Sequence, residues 1–261
     1  SAPSGHRTLG GLRLRTVFLH GFTQTGRSWL PITSRLSISD THTPDLPGHG
    51  SAEAIETGLD EAARDLIVEL PNCAVVGYSM GGRFALHAAV RYPGQLRGLV
   101  LISASPGLED ANERANRCES DDRLATHIEE VGIDQFLDEW LTQPLFASLP
   151  LDSSALDDRR RNTPQGLAWS LRRWGTGCQD SLWDSLPRIN CPVLLITGSR
   201  DSKFTQIATR MAGLIDDCRH QIIDGAGHAV HLEQPALVAG LIDDFLLDVA
   251  NNPSGEEHHT D

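Results

Sequence analysis

The sequence contains few cysteines, and none of them forms a C-x-x-C pair. The five thiols are an odd number and are widely scattered, at Cys73, Cys118, Cys178, Cys191 and Cys218. This distribution is typical of free thiols in a reducing compartment rather than of a disulfide framework. No other pattern indicates a metal or an organic cofactor, so we expect the protein to need neither.

Positive charge is also scarce. The 261 residues include 22 lysines and arginines against 35 aspartates and glutamates, which gives a formal net charge of −13. Such a surface repels nucleic acids and anionic membranes, so we expect neither as a partner. A local cationic pocket for a small anionic molecule is still compatible with this average charge. No pattern indicates an oligomeric state.

Long apolar runs are absent. The segment SAPSGHRTLGGLRLR at residues 1–15 lacks an apolar core of signal-peptide length, and TVFLHGF at residues 16–22 is too short to span a bilayer. We therefore expect a soluble, cytoplasmic protein. The polar segment NNPSGEEHHTD at residues 251–261 predicts a disordered tail, with its two histidines solvated rather than bound to metal.

Short β-type runs alternate with helical stretches along most of the chain. The β-type runs are TVFLHG, CAVVGYS, LRGLVLIS, CPVLLITG and RHQIIDG, with a weaker one near SDTHTPD. Helical spacing of apolar residues is clear in LDEAARDLIVEL and PALVAGLIDDFLLDVA. This alternation predicts an α/β fold whose mostly parallel central sheet carries helices on both faces.

The alternation lapses from about Pro106 to Pro187. This segment contains IEEVGIDQFLDEWL and GLAWSLRRW but no convincing strand. We interpret residues 106–187 as a helical cap inserted into a core formed by residues 1–105 and 188–250. Two separate tight domains are the alternative, but about 80 residues between two strands of one sheet are more typical of a lid.

The stretch VVGYSMGG at residues 75–82 contains a G-x-S-x-G pattern, formed by Gly77, Ser79 and Gly81. A β-type run precedes it and the helical stretch RFALHAAVRY follows, which is the context in which this pattern presents a nucleophile. The glycines suit a turn that leaves no room for side chains. An ordinary serine in a glycine-rich loop is the alternative, because the pattern also occurs by chance.

A serine becomes a useful nucleophile or base only when a histidine accepts its proton and an acid orients that histidine. Asp201 in LLITGSRDSKF and His228 in IIDGAGHAVHLEQP each follow a predicted strand, in the chain order Ser, Asp, His. We predict a Ser79, Asp201, His228 triad at the carboxyl edge of the sheet. Asp224 is the alternative acid.

Two other histidines compete for the role of base. His231 lies at the predicted start of the last helix and is expected to be a neighbour of the triad or a substrate contact. His20 directly follows the first strand, where a backbone N–H points toward developing negative charge. We predict that the N–H groups of Phe22 and Met80 are the oxyanion-type donors.

Seven motifs together carry a resemblance to a known family: VFLHGF, PDLPGHG, VGYSMGGR, SASPGL, WLTQPLFASL, GSRDSKF and AGHAVHLEQP. They resemble the 2-succinyl-6-hydroxy-2,4-cyclohexadiene-1-carboxylate synthases, which belong to the α/β-hydrolase superfamily, from about Val17 to Phe245. The resemblance implies a lyase of menaquinone biosynthesis. It would abstract a proton from 2-succinyl-5-enolpyruvyl-6-hydroxy-3-cyclohexene-1-carboxylate and eliminate pyruvate, with the triad as the base.

The three carboxylates of that substrate account for arginines near the site of an acidic protein. Arg83 follows the nucleophile turn, and the arginine fork matches a carboxylate with two hydrogen bonds. The family's remaining substrate-binding residues map onto Tyr78, Arg117, Trp140 and Arg161. Two assignments have alternatives of nearby register: Arg159 and Arg160 for Arg161, and Arg123 for Arg117.

Two other functions use the same residues. A serine hydrolase acting on an ester or a carbon–carbon bond would employ the triad through an acyl-enzyme. A binding module with a vestigial triad is the second alternative, and an intact set of triad and oxyanion positions argues against it.

Overall fold

The computed structural model describes residues 14–150 and 153–252. Most of the expected tail, residues 253–261, lies outside the described residues, as do residues 1–13. Asn251, the first residue of that expected tail, is the last residue of a helix.

A parallel sheet of six strands forms the centre of the described part of the chain. Its strand order is β2-β1-β3-β4-β5-β6, and every neighbouring pair is parallel. The strands are β1 Thr16–Leu19, β2 Thr41–His42, β3 Cys73–Tyr78, β4 Leu96–Ile102, β5 Val193–Gly198 and β6 Cys218–Ile223. The expected mostly parallel sheet is confirmed, and even the weak run near SDTHTPD supplies a strand, the two-residue β2.

The central strands are continuously apolar because both of their faces are covered. Every residue of β1, β3 and β5 is buried, as expected for a parallel sheet between two helical layers. The helices are α1 Leu30–Thr33, α2 Leu59–Glu69, α3 Met80–Arg91, α4 Ala111–Leu141, α5 Ser153–Arg159, α6 Pro164–Trp174, α7 Ser202–Ala212, α8 Val230–Glu233 and α9 Pro235–Asn251.

Two apolar clusters lie on opposite faces of the sheet. Successive residues of β1 illustrate the division, since Val17 and Leu19 join one cluster and Phe18 joins the other. The first cluster packs α2, α3 and α7 on the sheet, and the second packs α1, α8 and α9. Both faces of the sheet are thus covered, and the loops at the carboxyl edge of the strands are where an open α/β sheet carries its chemistry.

Helices α4, α5 and α6 lie between β4 and β5, and we call them the cap. The segment IEEVGIDQFLDEWL is helical within α4 except at Gly132, whose backbone has a φ of 79°. Helices α4 and α6 share a small apolar cluster of their own, which includes Ile128, Phe136 and Leu167. Within the described residues, no helix combines the length and the apolar character needed to cross a membrane.

Candidate active site

Ser79 occupies a sharp turn between β3 and α3. Its backbone has a φ of 50° and a ψ of −106°, a conformation that costs a non-glycine residue roughly 1–3 kcal/mol. A Cβ on Gly81 would lie 2.1 Å from the Leu19 carbonyl oxygen, and one on Gly77 would lie 2.5 Å from the Gly81 carbonyl oxygen. The two glycines therefore let the turn close tightly and hold the serine out at the end of the sheet.

The three predicted triad residues lie together. Ser79 Oγ is 3.2 Å from His228 Nε2, and His228 Nδ1 is 2.6 Å from Asp201 Oδ2. Because a carboxylate only accepts hydrogen bonds, Nδ1 carries the proton and Nε2 is left to accept the proton of the serine. This is the tautomer that a serine, histidine, acid relay requires.

Asp201 is held in place by the start of the next helix. Its Oδ1 accepts a hydrogen bond from the Phe204 N–H at 3.2 Å, which caps α7, while Oδ2 faces the histidine. The alternative acid, Asp224, instead accepts a hydrogen bond from the hydroxyl of Ser199. Asp201, and not Asp224, is therefore the acid that orients His228.

His20 and His231 are both buried structural residues. The Leu46 N–H donates to His20 Nε2 at 2.9 Å, so Nδ1 of that ring carries the proton and donates to the Gly21 carbonyl. Burial lowers the pKa of His20. The His231 ring lies 4.3 Å from the Tyr78 ring and 4.8 Å from the Trp29 ring, and burial lowers its pKa to about 3. Both histidines are therefore neutral at pH 7.

The predicted oxyanion donors flank the serine. Phe22 and Met80 both line the cavity into which Ser79 opens. Met80 is the first residue of α3, where a backbone N–H has no partner within its own helix. Among the described residues, no backbone hydrogen bond uses the N–H of Phe22 either. Their role as oxyanion donors stays a prediction.

Ser79 lines two adjoining cavities, of about 460 and about 240 Å³. The larger cavity has polar and apolar walls, and it includes the acidic residues Glu109, just before α4, and Glu113, in the first turn of α4. The smaller one is largely aromatic and also contains Trp140 and His228. Both cavities share six residues: Ser79, Arg83, Arg117, Thr176, Lys203 and Phe204.

Arg83 joins the core to the cap. Its Nη1 donates to the Gln179 side chain and its Nη2 to the Trp174 carbonyl, both at 2.7 Å. Burial and the nearby charge of Arg117 lower the pKa of Arg83 to about 10, so it is still charged at pH 7. The repulsion between the two guanidinium groups favours binding of an anion between them.

The other two cations shared by the cavities differ in their partners. Arg117 donates from Nε to Asp121 Oδ1 at 2.8 Å, on the same face of α4. Lys203 has no ion pair among the described residues, and its ammonium lies 5.8 Å from the centre of the Phe204 ring. Lys203 therefore offers an uncompensated charge to a ligand of Ser79. Within the described residues, no group of histidine, cysteine and acidic side chains is arranged to hold a metal ion.

The structure does not bring Arg161 to these cavities. Arg161 lines a separate cavity of about 700 Å³ near α1 and α5. Of its alternatives, Arg159 is 3% exposed and donates to the Thr23 hydroxyl, whereas Arg160 pairs with Asp134 on the surface. Arg123, the alternative to Arg117, is also on the surface, where it pairs with Glu119.

Aromatic side chains form the inner wall of the smaller cavity. Tyr78 is buried directly before the serine, and its ring lies 5.5 Å from that of His228. Trp140 packs on Phe22 and Phe146, and its buried Nε1 has no hydrogen-bond partner among the described residues. An indole N–H without a partner is a donor available to a bound carboxylate or hydroxyl group.

Comparison with known proteins agrees with this geometry. The protein-family model described as "Alpha/beta hydrolase family" matches residues 16–241. The 2-succinyl-6-hydroxy-2,4-cyclohexadiene-1-carboxylate synthase of Enterobacter sp. (strain 638) is 33% identical, over 88% of this chain and 90% of its own length. A Bacillus subtilis (strain 168) protein, to which the same name is given provisionally, is 36% identical over 89% of this chain and 90% of its own.

The chain belongs to this synthase family. The structure of MenH from S. aureus superimposes with a TM-score of 0.86 and 31% identity, covering 94% of this chain and 97% of that one. The family resemblance inferred from the seven motifs is thereby confirmed, as is the α/β-hydrolase fold.

Sequence reasoning missed two features of the site of this synthase-family chain. Lys203 lies within the motif GSRDSKF, and its position two residues after Asp201, at the start of α7, was the signal that places it beside the triad. Gln179 is different, because nothing in its local sequence indicates that it binds Arg83, which is 96 positions away.

Proposed function

We propose that this chain converts 2-succinyl-5-enolpyruvyl-6-hydroxy-3-cyclohexene-1-carboxylate into 2-succinyl-6-hydroxy-2,4-cyclohexadiene-1-carboxylate and pyruvate. Its curated relatives carry the name of this product's synthase. The observation that carries the proposal is the environment of Ser79: a serine bonded to His228 opens into cavities lined by Arg83, Arg117 and Lys203. Three cations beside the nucleophile suit a substrate that carries several carboxylates.

The proposed chemistry is a proton abstraction followed by elimination. Ser79 Oγ removes a ring proton of the substrate while its own proton passes to His228 Nε2. The electron pair of the broken C–H bond forms a new ring double bond, and the C–O bond to the enolpyruvyl group breaks. The departing enolate takes a proton and becomes pyruvate. Asp201 stabilises the imidazolium that forms on His228.

The two cavities suit different parts of this substrate. Carboxylates require charge-assisted hydrogen bonds, which the shared wall of Arg83, Arg117 and Lys203 supplies. The cyclohexene ring is apolar on its faces and fits the aromatic wall that includes Trp140 and Phe146. Burial among aromatic rings also excludes water, which would otherwise compete for the base.

The proposal is tested by supplying the enolpyruvyl substrate to the purified chain and following pyruvate with a coupled dehydrogenase assay. We expect saturable release of pyruvate by the unmodified chain and none above background by Ser79→Ala. Release of pyruvate at equal rates by both proteins would contradict the proposed role of the triad, and no release by either would contradict the reaction itself.

A serine hydrolase remains the second candidate, because the Ser79, His228 and Asp201 geometry also serves acyl transfer. A burst of alcohol release from an activated ester, together with no reaction on the enolpyruvyl substrate, would favour it. Action in the cytoplasm stays a prediction, as do the expected lack of a nucleic-acid or membrane partner and the expected lack of a cofactor.

A further inference from the structure

Two cysteines, one on α4 of the cap and one in the loop after α6, lie beside the arginines of the site. Cys118 follows Arg117 on α4, and Cys178 precedes Gln179, which accepts a hydrogen bond from Arg83. Their sulfur atoms are 3.3 Å apart, although 60 positions separate them in the chain. Cys178 is exposed and Cys118 is half-buried, so reagents in solution have access to the pair.

Backbone packing holds the two sulfur atoms at this distance. A Cβ on Gly177 would lie 2.5 Å from the Cys118 nitrogen and 2.6 Å from the Arg114 carbonyl oxygen, so the segment before Cys178 rests directly on α4. The Cys178 N–H donates to the Gly175 carbonyl, and its thiol donates to the Arg172 carbonyl. The pair is therefore a product of the fold and not of free side-chain rotation.

We propose that Cys118 and Cys178 form a redox-active dithiol, and that its oxidation by a low-molecular-weight disulfide fixes the arginine wall of the site. We define the arginine wall as Arg83, Arg117 and residues 174–179. Joining the sulfur atoms shortens their separation by roughly 1.2 Å, because a disulfide bond is about 2.05 Å long. That displacement is carried by residues adjacent to Arg117 and Gln179.

The oxidation balances as two successive thiol–disulfide exchanges. The thiolate of one cysteine attacks the reagent disulfide, forms a mixed disulfide and releases one reagent thiol. The thiolate of the second cysteine then attacks the protein sulfur of that mixed disulfide, forms the Cys118–Cys178 bond and releases the second reagent thiol. Two protein thiols are oxidised, one reagent disulfide is reduced, and the two protons leave with the reagent thiols.

Burial and the neighbouring Cys118 thiol raise the pKa of the Cys178 thiol to about 12. The thiolate is the reactive form, so the oxidation is best tested at about pH 8.5, where more thiolate is present than at neutral pH. Two of the three remaining cysteines serve as internal controls. Cys73 and Cys191 are buried, and among the described residues neither makes a hydrogen-bond contact with another thiol.

The first experiment incubates the full chain with oxidised glutathione at about pH 8.5 and maps its peptides by mass spectrometry. We expect a peptide pair joined through Cys118 and Cys178, lighter by two hydrogen atoms than the separate peptides. Cys118→Ser and Cys178→Ser should not form the link, whereas Cys191→Ser should form it as the unmodified chain does. Mixed glutathione adducts without any link would overturn the proposal.

The second experiment measures backbone hydrogen exchange in the arginine wall of the protein that carries the Cys118–Cys178 disulfide. Hydrogen exchange of residues 174–179 should slow on oxidation, and this readout does not depend on any activity. The kinetic expectation rests on the proposed function: kcat/KM for the enolpyruvyl tricarboxylate should fall by about tenfold, since displacements near 1 Å disturb substrate positioning. Cleavage of a small neutral ester should stay within about twofold, because it does not use the arginines.

These readouts separate the two proposals. If the reduced chain does not turn over the tricarboxylate, the proposed function fails. Peptide mapping and hydrogen exchange still test whether the two thiols form a disulfide that affects the arginine wall. A linked protein whose exchange at residues 174–179 is unchanged would overturn the connection to the arginine wall. Loss of kcat/KM in Cys118→Ser and Cys178→Ser treated with oxidant, equal to that in the oxidised unmodified chain, would also overturn it.

Discussion

At the scale of single residues, the triad depends on one hydrogen-bonded line from Asp201 through His228 to Ser79. The sequence predicted all three residues because each stands just beyond the carboxyl end of a strand, and parallel strands bring those ends together. The sequence did not predict which groups hold the Arg83 side chain in place. The partners of Arg83 are the Trp174 carbonyl and Gln179, whose positions follow from cap packing and not from local pattern.

Removing either member of the serine–histidine pair should abolish most of the rate. We expect Ser79→Ala and His228→Ala each to lower kcat for pyruvate release by about 10³-fold or more, with little further loss in the double variant, because the pair acts as a unit. Steady-state kinetics of the three variants checks this. Losses that multiply in the double variant would show that the two residues act independently.

Substitution of Arg117 or Lys203 should lower activity on the tricarboxylate more than substitution of Arg161 does. Charge-assisted hydrogen bonds contribute roughly 1.5–3 kcal/mol each, so Arg117→Ala and Lys203→Met should each lower kcat/KM for the tricarboxylate by about tenfold or more. Arg161 lines the separate cavity, so Arg161→Ala is the matched control and should stay within about threefold.

Lys203→Arg should recover part of the loss, because it restores the charge. The kinetics of all four variants should be compared with their cleavage of a neutral ester. Equal losses on both substrates, or a larger loss in Arg161→Ala than in Arg117→Ala, would contradict the assignment of Arg117 and Lys203 as carboxylate-binding residues.

At the scale of elements, the turn from β3 into α3 determines whether the serine is presented at all. The turn also packs closely on β1, because the backbone of Gly81 lies too near the Leu19 carbonyl for any side chain to fit between them. The sequence predicted this turn from its glycines. It also placed a helical cap around IEEVGIDQFLDEWL, but it did not predict the break at Gly132, where the chain adopts a positive φ that glycine adopts without strain.

A pair of glycine-to-alanine variants tests the turn. In Gly81→Ala the new Cβ would lie 2.1 Å from the Leu19 carbonyl oxygen, so we expect a loss of about 2 kcal/mol or more in the free energy of unfolding, and loss of activity. Gly240 in α9 is exposed and has no heavy atom within 4 Å of such a Cβ, so Gly240→Ala should stabilise the protein by roughly 0.5–1 kcal/mol. Urea denaturation measures both changes. An equally stable Gly81→Ala would contradict the described turn.

At the scale of the whole molecule, several buried histidines link stability to pH. Burial lowers the pKa of His49 and of His231 to about 3, and it lowers that of His20 as well. An unfolded histidine takes up a proton near pH 6.5, so the unfolded state binds more protons below that pH. Stability is therefore full above about pH 6.5 and declines as the pH falls toward 3.

His231→Phe should flatten this decline. Each such histidine contributes a slope of up to about 1.4 kcal/mol per pH unit between its unfolded and folded pKa values. The phenylalanine ring occupies a similar space between Tyr78 and Trp29 but does not titrate. Urea denaturation from about pH 7 to about pH 4.5 should show a shallower slope in the variant. An identical slope in both proteins would mean that His231 is not held neutral by burial.

In the proposed reaction, the triad acts as a base for elimination and not as the nucleophile of an acyl transfer. Electrospray mass measurement of the intact chain during turnover of the enolpyruvyl substrate, with pyruvate quantified in the same samples, tests this most directly. We predict one pyruvate for each substrate consumed, with the chain always at its unmodified mass. A covalent adduct on Ser79 that forms and decays with turnover would contradict the claim and assign the chain to the hydrolases.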